Sequence, residues 1–227
     1  MQGKLIVFEG IEGSGKTTQI EYLRHWLEQN LLKHKPLDGP TNVLVTRQPG
    51  GTNIGKKIRQ VLLQPSADTD TLTSTAELLL YAADRVQHVE QVLIPALKIG
   101  TIVLCDRYTA STIAYQGYGR QLNLKLIETL NTIATAGLTS DLTLWLKLDV
   151  KQGLKRITTR GEADRIEQAG LEFHQRVHEG FAAQASQENF ITVDGSLGQT
   201  IVSQKIQAII SNYLQQWYGL QSPFSPN

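Results

Sequence analysis

Short apolar runs alternate along the chain with longer stretches whose apolar residues recur every three or four positions. That is the pattern of strands alternating with helices. The first run, Leu5-Ile6-Val7-Phe8, predicts a strand over 4–8. Past a glycine-rich turn, Ile20, Leu23, Leu27 and Leu31 keep helical spacing. Pro36, Gly39 and Pro40 place a surface loop over 33–42, and Val43-Leu44-Val45 is the second strand. A helix over 53–63 and a polar loop rich in Ser, Asp and Thr come next. A long helix is expected over 75–97, bent or ended by Pro95 and stopped by Gly100. Strand 101–105, helices 110–115 and 124–136, strand 142–148 and a helix to about 159 follow. The chain closes with helix 171–187, strand 190–193, helix 199–217 and a flexible tail over 221–227 that holds two prolines.

Five short strands between helices imply an α/β fold, a parallel sheet covered on both faces. In such sheets ligands collect beyond the carboxyl ends of the strands. No internal repeat or linker divides the chain, so residues 1–220 read as one domain. At 227 residues, 41% hydrophobic and 19% charged, the composition is that of an ordinary globular protein. A net charge of +1 with mixed sign argues against a nucleic-acid binder or a membrane-surface protein. No run of about 18 apolar residues offers a membrane span. No export leader precedes the first strand, and the lone Cys105 forms no internal disulfide, so the expected location is the cytoplasm. Cys105 ends an apolar run without a His nearby in sequence, which reads as a core residue rather than a catalytic thiol.

The chemistry concentrates after the strands. Gly10-Ile11-Glu12-Gly13-Ser14-Gly15-Lys16-Thr17 matches the phosphate-loop pattern in full, between a strand and a helix. Glycines let successive N–H groups turn towards one anion, and the helix adds the positive end of its dipole. Lys16 then meets the β- and γ-phosphates, and Thr17 offers its hydroxyl to Mg²⁺. A glycine-rich turn opening an ordinary helix is the plainer reading, and it leaves the strand before and the Lys-Thr ending unaccounted for. The guanine-reading and switch motifs of a GTPase are missing. A small-molecule kinase needs a second anion site, and four basic clusters are available. Arg47 lies within Thr46-Arg47-Gln48-Pro49-Gly50-Gly51-Thr52, where a guanidinium can grip a phosphate twice or merely decorate a turn. Asp106-Arg107-Tyr108 follows the strand expected beside the first, as a metal-supporting carboxylate with a cation or as a surface ion pair. Tyr81 and Arg85 share a helix face and could read a base, although an aromatic at that spacing is more often core. Arg156, Arg160 and Arg165 around Gly161 suggest a lid over phosphates or a solvated helix face.

Together these residues resemble the thymidylate kinase family over about residues 4–212. The resemblance rests on the stretch from Phe8-Glu9-Gly10 to Thr17-Thr18-Gln19, on Thr46 to Thr52, on Tyr81-Ala82-Ala83-Asp84-Arg85, on Asp106-Arg107-Tyr108 and on Ala114-Tyr115-Gln116-Gly117. It implies the three-layer fold of P-loop nucleoside monophosphate kinases, with a five-stranded parallel sheet and a short lid over about 156–168. It also implies transfer of the γ-phosphoryl of ATP to dTMP with Mg²⁺, a step in dTTP biosynthesis, and a homodimer built through helices beside the sheet. Glu12 then accepts from the sugar 3′-hydroxyl, while Arg47 and Arg107 grip the dTMP phosphate. Tyr81 stacks on thymine, which replaces the core reading, and Arg85 bonds its O4. Ser111, Tyr115 and Gln116 line the base and sugar, Asp106 supports Mg²⁺ and the acceptor, and Arg156 rests on adenine. Gly13 stands where one branch of the family carries Arg, so the extra cation is expected from the Arg-rich lid of the bacterial branch, Arg160 first and Arg165 second. Two departures stand out. Gln48 replaces a usual Glu that could hold a neighbouring basic group, and Tyr81 replaces a usual Phe, adding a hydroxyl that needs a partner. The alternatives left open are a kinase for another nucleotide and an ATP-binding switch without a small acceptor.

Overall fold

The computed structural model describes residues 2–34, 40, 42–64, 71–158 and 164–219. Among these, five strands form one parallel sheet in the order β2-β3-β1-β4-β5. The strands are β1 (Lys4–Glu9), β2 (Val43–Arg47), β3 (Ile102–Asp106), β4 (Leu142–Lys147) and β5 (Phe190–Asp194). In β1 the residues from Leu5 to Glu9 are buried without alternation, because helices cover both faces. On one face Ile6, Phe8, Leu104 and Leu144 pack under α1 (Lys16–His34) and α9 (Gln199–Tyr218). The apolar positions of α1, Ile20 to Leu31, form its buried stripe, matched by Val202, Ile206, Ile210 and Leu214 of α9. On the other face Leu5, Val7, Val103 and Cys105 pack with Val89, Leu93 and Leu97. Cys105 is therefore core as expected, and burial pushes its thiol pKa well up.

The helix α2 (Asn53–Leu63) has the expected bounds and is capped by Thr52, whose side chain accepts from Gly55 N. The long helix expected over 75–97 is instead α3 (Ser74–His88), a π-helical turn over Val89–Leu93 and α4 (Ile94–Lys98). Pro95 has no N–H to donate and crowds the preceding turn, and the chain absorbs this by widening, with Ile94 N donating to Val89 O. The helix expected over 110–115 is also interrupted. The short α5 (Thr109–Thr112) passes into a π-helical stretch over Ile113–Gly119, which turns the consecutive Tyr115 and Gln116 both inward. Next come α6 (Leu124–Thr135), α7 (Val150–Thr158) and α8 (Leu171–Ala182). Helix α8 stops five residues short of expectation. There the Gln184 amide takes the Gly180 carbonyl, while Gln184 N turns to Phe181 O and the last turn tightens. Trp145, Phe173, Val177 and Phe181 fill the core between α8 and the π-helical stretch. Most of the loop expected over 33–42, the centre of the lid and the tail over 221–227 lie outside the described residues.

Candidate active site

Parallel pairing places the ends of three strands in one row. Phe8 of β1 and Arg47 of β2 both lie opposite Asp106 of β3, and each strand then gives way to a loop. The phosphate loop leaves β1 with Gly10, Gly13 and Gly15 at positive φ. Gly13, at φ 74, is doubly constrained, since a Cβ there would sit 2.5 Å from Gly153 O of α7. An Arg at this position would have to push α7 away, a physical reason for seeking the extra cation elsewhere. The Lys16 ammonium donates to Gly10 O at 2.9 Å and Ile11 O at 3.0 Å, folded back along the loop. Burial, helped by Arg107, holds its pKa down to about 8.

Arg107 follows β3 in the left-handed region at φ 72, with its N–H bonded to Phe8 O. Its guanidinium donates to Glu12 Oε1 at 2.7 Å and to Ser111 Oγ at 3.1 Å, and it lies over the Tyr115 ring. Tyr115 Oη donates to the other Glu12 oxygen at 2.7 Å. Burial works against the Glu12 carboxylate, but Arg107 and Lys16 outweigh it and keep its pKa below the ordinary value. The Glu12 carboxylate still keeps acceptor capacity for a further donor. Behind this pair Glu9 is fully buried and accepts from Tyr108 N, Ser111 N and Ser111 Oγ. Burial raises its pKa despite those partners. Glu9 thus shapes the turn that carries Arg107, a role absent from the sequence reading although the residue lies inside the first motif.

A cavity of about 260 Å³ runs from Lys16 and Thr17 past Arg107 to Tyr81 and Gln116. Arg47 also lines it, exposed, and its guanidinium has no hydrogen-bond partner among the described residues. Tyr81 faces the same cavity from α3, and burial pushes its phenol pKa up. Arg85, one turn on, is buried and donates to Gln48 Oε1, Asn131 Oδ1 and Tyr108 O. The amide at position 48 therefore does hold a neighbouring basic group, through its carbonyl. Burial and then Arg85 depress the His88 pKa to about 4, so His88 is neutral near neutral pH. With Gln48 Oε1 committed to Arg85, Gln48 Nε2 donates to His88 Nδ1, and His88 Nε2–H donates to Thr46 Oγ1. Arg59 of α2 also lines the cavity, bonded to Pro49 O. The sequence reading passed over it because an Arg on a surface helix looks solvated; its signal was a face shared with Gly55 and Leu62, at helical spacing.

The residues named for the lid separate. Arg156 reaches the phosphate loop, with Nη1 donating to Gly13 O at 3.1 Å. Arg160 lies outside the described residues. Arg165, named as a second source of the transition-state cation, is instead tied to the protein, pairing with buried Glu77 at 2.6 Å and donating to Leu62 O. The neighbours Asp164, Ile166 and Glu167 line the cavity. Among the described residues no group of three or more His, Cys, Asp or Glu gathers as a metal site. Mg²⁺ fits the end of β3 all the same. Asp106 Oδ1 is buried without a hydrogen-bond partner among the described residues, and the exposed Thr17 lines the same cavity. A carboxylate oxygen left bare in this way suits a cation or the water around it.

A family model described as thymidylate kinase matches residues 8–206. The chain is 52% identical over 222 residues to the thymidylate kinase of Trichodesmium erythraeum, covering 96% of this chain and 99% of the relative. It is 54% identical to that of a Cyanothece species, covering 96% and 97%. It is 49% identical to that of Carboxydothermus hydrogenoformans, covering 86% and 90%. With the phosphate loop, the aligned strand ends and a sheet of P-loop nucleoside monophosphate kinase type, these matches show that the chain belongs to the thymidylate kinase family.

Proposed function

We propose that this chain transfers the γ-phosphoryl group of ATP to dTMP, giving dTDP and ADP, in the cavity between the phosphate loop and α3. One observation carries the reading. A single cavity joins Lys16 and Thr17 to Tyr81 and Gln116, and Arg107 with its partner Glu12 stands midway. A donor triphosphate and an acceptor phosphate can therefore meet at one guanidinium. Transfer between phosphates calls for positioning and charge neutralisation rather than a strong base or a covalent intermediate.

Lys16 exchanges its contacts with Gly10 O and Ile11 O for the β- and γ-phosphates. Arg47 and Arg107 hold the acceptor phosphate, and Arg107 also brings charge to the transferred group. Glu12, kept ionised by Arg107 and fixed by Tyr115, accepts from the sugar 3′-hydroxyl. Tyr81 stacks on thymine, and Arg85, held by Gln48 and Asn131, donates to its O4. Ser111, Tyr115 and Gln116 close the wall beside the base and sugar. Thr17 and Asp106 hold Mg²⁺, which supplies positive charge to the triphosphate. Arg156 rests on adenine, and Arg160 supplies the last cation on closure of a lid over about 156–168; Arg165 holds the lid in place. Residues 1–220 act as one domain.

The partner is a second copy of the chain. Ile54 and Val61 on α2, Leu79 on α3, and Leu126 and Ile133 on α6 are large apolar side chains left exposed. Each i, i+7 pair shares a helix face, and α2, α3 and α6 pack side by side. Among the described residues no helix is long and apolar enough to cross a membrane. The reaction and the buried Cys105 suit the cytoplasm.

The reading is tested by following ADP release with dTMP, dUMP, dCMP and dGMP in turn. Turnover that needs an acceptor and is greatest with dTMP is expected. Preference for another base would overturn the thymine assignment, and turnover indifferent to any acceptor would point to an ATP-binding switch.

A further inference from the structure

The first turn of α3 buries a carboxylate that the reaction does not use. Glu77 has no exposed surface, and three groups from two separate parts of the chain, Gln116 with Arg120 and Arg165, converge on it. Its Oε1 accepts from Gln116 Nε2 at 2.8 Å and from Arg120 Nε at 3.3 Å. Its Oε2 accepts from Arg120 Nη2 at 3.0 Å and pairs with Arg165 at 2.6 Å. Arg165 Nε is further pinned by Leu62 O, and its backbone N–H by Leu63 O. The next two amides, Ile166 N and Glu167 N, both donate to Asp164 Oδ1, so residues 164–167 form one compact turn against the cavity. Glu77 also lies one helical turn before Tyr81 and two before Arg85. A single helix face therefore carries the ring, the guanidinium and this anchor.

The chemistry of the anchor sets the orientation of Gln116. An ionised carboxylate only accepts, so it must face the amide N–H₂ and leaves the amide carbonyl as the end that can turn to a ligand. A carbonyl there favours a base edge with an N–H donor, such as N3 of thymine, over one with an acceptor, such as N3 of cytosine. A neutral amide at position 77 would satisfy Gln116 in either orientation. Arg165 would meanwhile lose the carboxylate that ties the foot of the lid to α3.

We propose that Glu77 is a positioning residue with two linked effects. It orients Gln116 for discrimination between pyrimidines, and it fastens the 164–167 turn through Arg165. This rests on the reading of the cavity as the dTMP site.

The test compares the full-length chain with Glu77→Gln, measuring kcat and KM for dTMP and dCMP and amide hydrogen exchange over 164–167. The expected result is a fall of about tenfold in the ratio of kcat/KM for dTMP to that for dCMP, the worth of one charge-assisted hydrogen bond. The KM for ATP should stay within about twofold, and exchange over 164–167 should quicken. In a Gln116→Ala background the same substitution should lower the ratio no further, because the effect runs through Gln116. Should Glu77→Gln not fold, Glu77→Asp keeps the charge but draws it back by one methylene. It should show the same two changes in smaller degree. An unchanged acceptor ratio, or an equal loss with both acceptors, would overturn the proposal, as would unchanged exchange over 164–167. Lack of dTMP turnover in the parent chain would instead remove the underlying reading.

Discussion

Lys16 offers a quantitative test of the phosphate loop. Its ammonium is buried against two carbonyls, and burial with Arg107 lowers its pKa from 10.5 to about 8. In the empty protein at pH 8 about half of Lys16 is therefore neutral. A bound polyphosphate restores the charge, so nucleotide binding must draw in about half a proton at pH 8. If only the protonated form binds well, affinity falls about tenfold between pH 7 and pH 9, or about 1.4 kcal/mol. The stability of the empty protein should move the other way. The folded-state pKa is depressed, so the unfolded chain binds more protons between about 8 and 10.5, and stability gains a favourable increment as pH rises through that window. The assay is calorimetric titration of ADP with Mg²⁺ in two buffers of different ionisation enthalpy, where the difference in heat gives the proton count. Lys16→Met should bind more weakly and without the proton uptake. Uptake near zero at pH 8 in the parent chain, or uptake that persists in Lys16→Met, would refute the argument.

Three further outcomes follow from the geometry. Gly13→Ala places a Cβ 2.5 Å from Gly153 O at a positive φ, which costs about 1–2 kcal/mol from the backbone alone. Lower thermal stability and weaker ADP binding are expected, read by calorimetry and titration. Arg160→Ala should lower kcat by about two to three orders of magnitude with little change in dTMP affinity, and an unchanged kcat would remove it from the mechanism. Ile133→Glu, at a site 67% exposed, should leave single-chain stability within about 0.5 kcal/mol but convert a dimer to monomers in sedimentation. A parent chain that already sediments as a monomer would refute the dimer.

What could be read without coordinates was whatever repeats along the chain or follows a strand. The buried runs of β1 and β3 and the periodic stripe of α1 fix the layers, and the row from Arg47 to Phe8 follows from parallel pairing. The π-helical turns were less visible. Pro95 marks one of them, but nothing comparable marks the stretch that turns Tyr115 and Gln116 inward together. Arg165 shows the firmer limit. A guanidinium goes to whichever carboxylate the fold brings near, and Glu77 is far away in sequence and hidden in a helix. Arg59 and His88 escaped notice for a related reason, since their partners Pro49, Gln48 and Thr46 belong to another element.

The row formed by Phe8, Asp106 and Arg47 also bears on how freely this enzyme can change length. Strand hydrogen bonds hold the three positions level, and the crossovers that separate them in sequence return at the opposite rim of the sheet, where Ile102 N meets Asn42 O. Chain added between α1 and β2 is spooled out at that rim, away from the phosphates. Closing a loop of twice the length costs only about 0.6 kcal/mol. Peptides or reporter domains inserted between the end of α1 and the start of β2 should therefore leave the chemistry in place.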